Sequence, residues 1–183
     1  ERDAMKGAYL GPEFNDNDIE DELKACGAVY QKLSEDELID GVATALANEK
    51  AVGWMQGRME FGPRALGGRS IIADPRSTLM QKQLNLKVKY RESFRPFAPS
   101  VLREDVAEWF EHETDSPYML LVSDVKEDKR ISMTDDEEAL FGIDKLNVPR
   151  SSVPAITHVD YSARIQTVHS DTNPRYHAVI SKF

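Results

Sequence analysis

Gln56-Gly57-Arg58-Met59-Glu60-Phe61-Gly62-Pro63-Arg64-Ala65-Leu66-Gly67-Gly68-Arg69-Ser70 stands between two apolar runs, 51–55 and 70–73. Four glycines and a proline mark this stretch as a shaped loop. The flanking runs have the length and composition of short buried strands. At first glance the loop resembles a phosphate loop, with Gly62 and Gly67 five apart. The position that must hold Lys in a Walker loop holds Gly68, and the dinucleotide fingerprint is absent. What remains is a strand–loop–strand unit with free backbone amides and two arginines, Arg64 and Arg69, placed to converge on phosphate oxygens. The plain alternative is a turn joining two strands.

Outward from this unit, helices and strands alternate. Asn15 to Gly27 reads as a short helix with Ile19, Leu23 and Cys26 at helical spacing, and 28–30 is a candidate strand. Ser34 and Glu37 form a capping box ahead of the stripe Leu38, Ile39, Val42, Ala45 and Leu46. Downstream, Asp74-Pro75-Arg76 closes the second strand, with Asp74 placed to cap that turn. Residues 78–90 read as a helix, 97–102 as an edge strand and 103–111 as a short helix. Residues 118–125 read as a strand and 126–138 as a charged mobile loop. Residues 152–158 and 164–169 are expected to pair around Asp160-Tyr161-Ser162. Pro174 opens a helix still running at Phe183, from which the chain is expected to continue. The expected class is α/β (α+β), with a twisted, partly antiparallel mixed sheet.

The 183 residues suit one domain, with or without a small annex, and Cys26 is the only cysteine. An internal disulfide and a multi-cysteine metal site are thereby excluded, and Cys26 is expected to be a buried core thiol. No apolar run approaches the roughly 18 residues of a membrane span. The polar start has no signal-peptide pattern, and the expected setting is reducing and cytoplasmic. The net charge of −9 hides an uneven distribution. Residues 1–52 carry net −8, 53–103 carry +7, 104–147 carry −10 and 148–183 carry +2. An acidic surface disfavours loose binding to nucleic acid or anionic membrane. The basic block inside it suits a small anion, or else is a solvated face paired with acidic neighbours.

Lys87, Lys89, Arg91 and Arg95 lie within nine residues, ahead of Pro96-Phe97-Ala98-Pro99. Arg grips phosphate or carboxylate with a planar fork, and Lys supplies a movable point charge. Neither is a base at neutral pH, so the array stabilises negative charge, as phosphoryl or adenylyl transfer requires. A salt-bridged basic helix is the plain reading. Of the four histidines, none pairs at i, i+4 as a zinc protease needs. His158, before a turn that leads to Arg164, is the one carried forward. Gly-x-Ser-x-Gly does not occur.

The stretch 56–76, the stretch 89–99 (Lys-Tyr-Arg-Glu-Ser-Phe-Arg-Pro-Phe-Ala-Pro) and the pair 154–160 and 162–168 resemble the O-carbamoyltransferases of antibiotic and nodulation-factor biosynthesis. The matching part of that family is its C-terminal domain, similar to the YrdC-like fold of threonylcarbamoyl-adenylate synthases. The resemblance implies that residues 1–183 are a YrdC-like domain, truncated at its C-terminus, that forms a carbamoyl-adenylate from carbamoyl phosphate and ATP. A separate N-terminal metal-binding transfer domain, absent here, would move the carbamoyl group onto a substrate hydroxyl. Carried over by position, Lys89, Arg95 and Arg164 are implied ligands of carbamoyl phosphate and the adenylate. Arg64 is implied as a phosphate contact, with Arg91 and His158 as further members of the pocket. Mg²⁺ would accompany ATP. Nucleic acid and membrane are not expected partners.

Two other classes stay open. A nucleic-acid-binding module would use the basic block with Trp54, Phe61, Tyr90, Phe94 and Phe97 as stacking aromatics. An inactive fragment would dock on its missing partner domain through an apolar patch.

Overall fold

A computed structural model describes residues 3–183. Helix α1 (Asp16–Ala25) starts at Asn15, whose side chain accepts from the Asn17 and Asp18 amides. Helix α2 (Glu35–Ala47) starts at the Ser34–Glu37 capping box. The two apolar runs around the Gly-rich loop form strands β1 (Val52–Met55) and β2 (Arg69–Ile72). They pair antiparallel, with Trp54 opposite Ser70.

Helix α3 (Met80–Leu84) runs into a wide helical turn, Asn85–Lys89, and Tyr90 is left-handed at φ 49°. Strand β3 (Ser100–Leu102), helix α4 (Val106–Trp109) and strand β4 (Val122–Asp124) follow. Two short helices, α5 (Asp135–Glu138) and α6 (Ile143–Leu146), occupy the acidic region. Strands β5 (Ser162–Arg164) and β6 (Gln166–Val168) precede helix α7 (Pro174–Lys182). In α7, Pro174 takes the first turn and the Asn173 side chain caps the Tyr176 amide at 3.3 Å.

The mixed α+β class expected from sequence is present. Among the described residues, its strands form three two-stranded ladders. Residues 162–168 are the spine that joins two of them. Their first half pairs antiparallel with β4 and their second half pairs parallel with β3. The spine changes partners at Ile165, fully buried, whose amide bonds the Leu121 carbonyl at 3.1 Å.

Among the described residues, the two larger of three apolar clusters hold these parts. Val101, Val106, Phe110, Val125, Ile156 and Ile165 gather on one side of the β3–β6 ladder. Val42, Leu46, Trp54, Val168, Tyr176 and Val179 join α2, β1, β6 and α7 on the other. Burial of such side chains contributes roughly 1.5–3 kcal/mol each against exposure.

Several expectations need correction. Residues 28–30 form no strand: Val29 is fully exposed, and a strand needs a neighbour to bond. Residues 152–158 form no strand either, because Pro154 opens a 3-10 turn over Pro154–Ile156. The charged region 126–138 is partly helical, through Glu127–Lys129 and α5. Cys26 is exposed, since α1 buries none of its residues. Among the described residues, no helix is long and apolar enough to cross a membrane.

Candidate functional site

The Gly-rich loop folds back on a carboxylate. Glu60, 6% exposed, accepts the amides of Leu66 at 2.7 Å, Gly68 at 2.6 Å and Arg69 at 3.1 Å, all on Oε1. Gly67 donates instead to Ser70 Oγ at 3.0 Å. The free amides expected for a phosphate are therefore occupied from within. Burial alone would raise the Glu60 carboxyl, but the amides outweigh it and hold its pKa below the usual glutamate value.

Further bonds fix the loop from outside. Trp54 Nε1 and Gln56 Nε2 donate to the Gly67 carbonyl at 2.9 and 2.8 Å. At Gly67, φ is +100° and a Cβ would stand 2.4 Å from the Tyr176 ring, so only glycine fits.

A cleft of about 780 Å³ opens between the two apolar clusters, beside this loop. Arg64 enters it from the loop, Arg76 from the turn after β2, Lys89 and Arg91 from the segment after α3, and Arg164 from β5. Asp74 and Asp105 are the carboxylates on its walls. Asp74 is already gripped by Arg76, through Nε at 2.9 Å and Nη2 at 2.8 Å, and it caps the Arg76 amide. The cleft therefore has an excess of positive charge.

Arg64 and Arg164 feel one another's charge across this cleft. The Nε atoms of both are buried, and neither has a hydrogen-bond partner among the described residues. Burial, and then the charge of Arg64, lower the pKa of Arg164 from the usual arginine value. An unpaired buried donor costs about 1–3 kcal/mol, more when charged. Two such cations in one cleft have the chemistry to grip an anion by charge-assisted hydrogen bonds.

The Lys–Arg array is shaped by Asn85, which is completely buried. Its Nδ2 donates to the carbonyls of Ser93 at 3.2 Å and Arg95 at 2.8 Å, and its Oδ1 accepts from Arg91 Nε at 2.6 Å. Arg91 also lies over the Phe97 ring, 4.9 Å from its centroid. Lys89 is exposed on the cleft rim.

The other sequence candidates lie elsewhere. Arg95 and His158 line a neighbouring groove of about 310 Å³, which shares only the Pro96 wall with the cleft. There Arg95 pairs with Glu92 at 2.8 Å. Arg69 does not join the phosphate contacts expected of it. Its guanidinium donates to the carbonyls of Gln56 at 2.9 Å, Gly68 at 2.8 Å and Gly57 at 3.2 Å, and so staples the loop. Glu60 and Asn85 carry no signal in the sequence, because a buried polar residue shows its task only once its partners are assembled.

Among the described residues, no three His, Cys, Asp or Glu side chains gather as a cage, and Asp74 is bound to Arg76.

Residues 43–183 match the sequence model of a family described as Carbamoyltransferase C-terminus. The chain is 62% identical over 183 residues to the uncharacterized protein sll1178 of Synechocystis sp., covering 99% of this chain and 30% of that protein. It is 41% identical to nodulation protein NolO of Bradyrhizobium diazoefficiens, covering 100% of this chain and 30% of NolO. It is 38% identical over 144 residues to the 3'-hydroxymethylcephem-O-carbamoyltransferase of Amycolatopsis lactamdurans, covering 79% of this chain and 23% of that enzyme. The chain thus spans less than a third of the length of these relatives.

Proposed function

Because the chain belongs to the carbamoyltransferase C-terminal family, we propose that its cleft binds ATP and carbamoyl phosphate and forms a carbamoyl-adenylate. The remainder of a longer protein, the N-terminal transfer domain, then delivers the carbamoyl group to a substrate hydroxyl. The observation that carries this reading is the pair of buried, unpartnered guanidinium nitrogens of Arg64 and Arg164 in one cleft.

The net step consumes carbamoyl phosphate, ATP and one water, and yields carbamoyl-adenylate, phosphate and pyrophosphate. Water cleaves the bond between the carbamoyl group and the donor phosphate, leaving carbamate and phosphate; a carbamate oxygen then joins the α-phosphorus as the bond between the α- and β-phosphates breaks and pyrophosphate leaves. Charge develops on phosphoryl oxygens throughout, so fixed cations lower the barrier by electrostatics and positioning. Arg64 and Arg164 grip phosphate oxygens by their forks, and Lys89 follows the leaving pyrophosphate as a mobile charge. Arg95 and His158 lie beyond the Pro96 wall, in the neighbouring groove, and take no contact in this step. The apolar walls at Phe97, Val101 and Tyr176 keep bulk water from the hydrolysable adenylate.

Calorimetry with ATP and carbamoyl phosphate tests the reading, alongside release of phosphate and pyrophosphate. Wild type is expected to bind saturably, and Arg64→Ala and Arg164→Ala to bind at least about tenfold more weakly with the fold intact. Wild type that binds neither compound overturns it. The nucleic-acid reading predicts instead oligonucleotide binding that falls steeply with salt. Of its stacking aromatics, Trp54 is buried against Tyr176 and cannot meet a base.

A further inference from the structure

Glu60 does more than neutralise charge. Backbone amides gathered around one oxygen form an anion nest, and the usual occupant of such a nest is a ligand. Here the anion comes from the loop's own sequence, six residues before the first amide it accepts. Gly68 permits the close approach: a Cβ there would stand 2.8 Å from the Arg58 carbonyl oxygen and 3.1 Å from the Glu60 carboxyl carbon. Leu66 and Gly68 follow Arg64 by two and four positions, so the clamp fixes the backbone immediately beside that arginine. On the far side of the same carbonyl–amide run, Gln166 Nε2 donates to the Leu66 carbonyl at 2.8 Å. The loop is thus held against the strand segment that carries Arg164.

We infer that Glu60 is a positioning residue for this site: its carboxylate closes the nest of loop amides and so aims Arg64 toward Arg164. The inference rests on the reading of the cleft as an anion site. It predicts a sign opposite to simple electrostatics. A carboxylate behind a cationic cleft repels an incoming anion at long range, so if Glu60 acted by charge alone its removal would tighten binding. As a positioning residue its removal loosens binding, because Arg64 loses its fixed direction.

Inorganic pyrophosphate is titrated into wild type and Glu60→Gln by calorimetry, and ¹⁵N amide spectra are recorded for both. Glutamine keeps the shape and one acceptor oxygen but loses the charge-assisted bonds, so the variant retains the fold. Supporting groups of this kind typically alter affinity by about 10- to 100-fold, and roughly tenfold weaker binding is expected. Glu60→Ala is expected to bind more weakly still, with partial recovery in formate, which refills the nest. Binding by Glu60→Gln as tight as wild type, or tighter, overturns the inference whatever the spectra show. Wild type that does not bind pyrophosphate overturns the anion reading of the cleft, and the spectra then decide on Glu60. A joint shift of the Leu66, Gly68 and Arg69 amide signals in Glu60→Gln supports the clamp, and unmoved signals overturn it.

Discussion

Gln166 donates from Nε2 to the carbonyl of Leu66 at 2.8 Å, across 100 positions of the chain. Its Oε1 accepts from Ser100 Oγ at 2.9 Å, and the side chain is 3% exposed. One glutamine therefore ties the Gly-rich loop, β3 and β6 together. Gln166→Leu leaves the Ser100 hydroxyl without this acceptor and removes one donor from the Leu66 carbonyl. A loss of about 1–3 kcal/mol is expected in urea unfolding. An unchanged midpoint would show the tie to be dispensable.

Arg64 and Arg164 set binding against stability. Replacing one of two crowded, partly buried cations by an apolar residue of similar length relieves both desolvation and repulsion. Arg164→Met is expected to melt about 2–4 °C higher than wild type without ligand, the shift for about 1 kcal/mol in a chain of this size. The same variant should lose the upward shift that pyrophosphate gives wild type. A lower melting temperature in the unliganded variant would mean that the guanidinium is already satisfied.

The clamp at Glu60 also makes an acid-stability prediction. The folded protein lowers this carboxyl below its ordinary value, with burial opposing and the loop amides prevailing. The native state thus favours the ionised form more than the unfolded chain does. The associated stability is present above the ordinary carboxylate range and lost as pH falls through the lowered native value. Between about pH 5 and pH 2, wild type should lose stability more steeply than Glu60→Gln, measured as urea midpoints. Parallel curves would show that Glu60 is not bound to the amides as an anion.

Glycine is required at only some positions of this region. Gly67→Ala places a methyl 2.4 Å from the Tyr176 ring at a φ of +100°, and is expected to cost at least about 2 kcal/mol in thermal unfolding. Gly53→Ala in β1 meets nothing within 4 Å and should change stability little. Equal effects from the two would place the constraint in the chain's flexibility and not in the Tyr176 contact.

Features set by near neighbours are legible in the amino-acid sequence. The Ser34–Glu37 box, the Pro174 helix start and the strands flanking the Gly-rich loop each follow from residues close together in the chain. Features decided at long range are not. Arg64 and Arg69 are the same residue type in one loop, yet the first enters the cleft and the second turns back onto Gln56, Gly57 and Gly68. Arg69 opens β2 and meets carbonyls just beyond the end of β1, whereas Arg64 lies within the loop, out of their reach. Similarly, the stripe on α1 obeys helical periodicity, but among the described residues no element covers it, which leaves Cys26 exposed. The spacing of cationic residues points to a convergence of distant side chains, while the division at Pro96 into two cavities depends on how the chain packs.

The spine at 162–168 also bears on the order in which the molecule is made. Its partners, 100–102 and 122–124, leave the ribosome 66 and about 40 residues ahead of the residues they pair with. Until it emerges, two of the three ladders have only one edge, and Arg64 has no counterpart. Such distant pairings form slowly, because a long loop must close before any bond is gained. The nascent chain therefore completes two of its ladders and brings Arg164 to the cleft of Arg64 in a single late event.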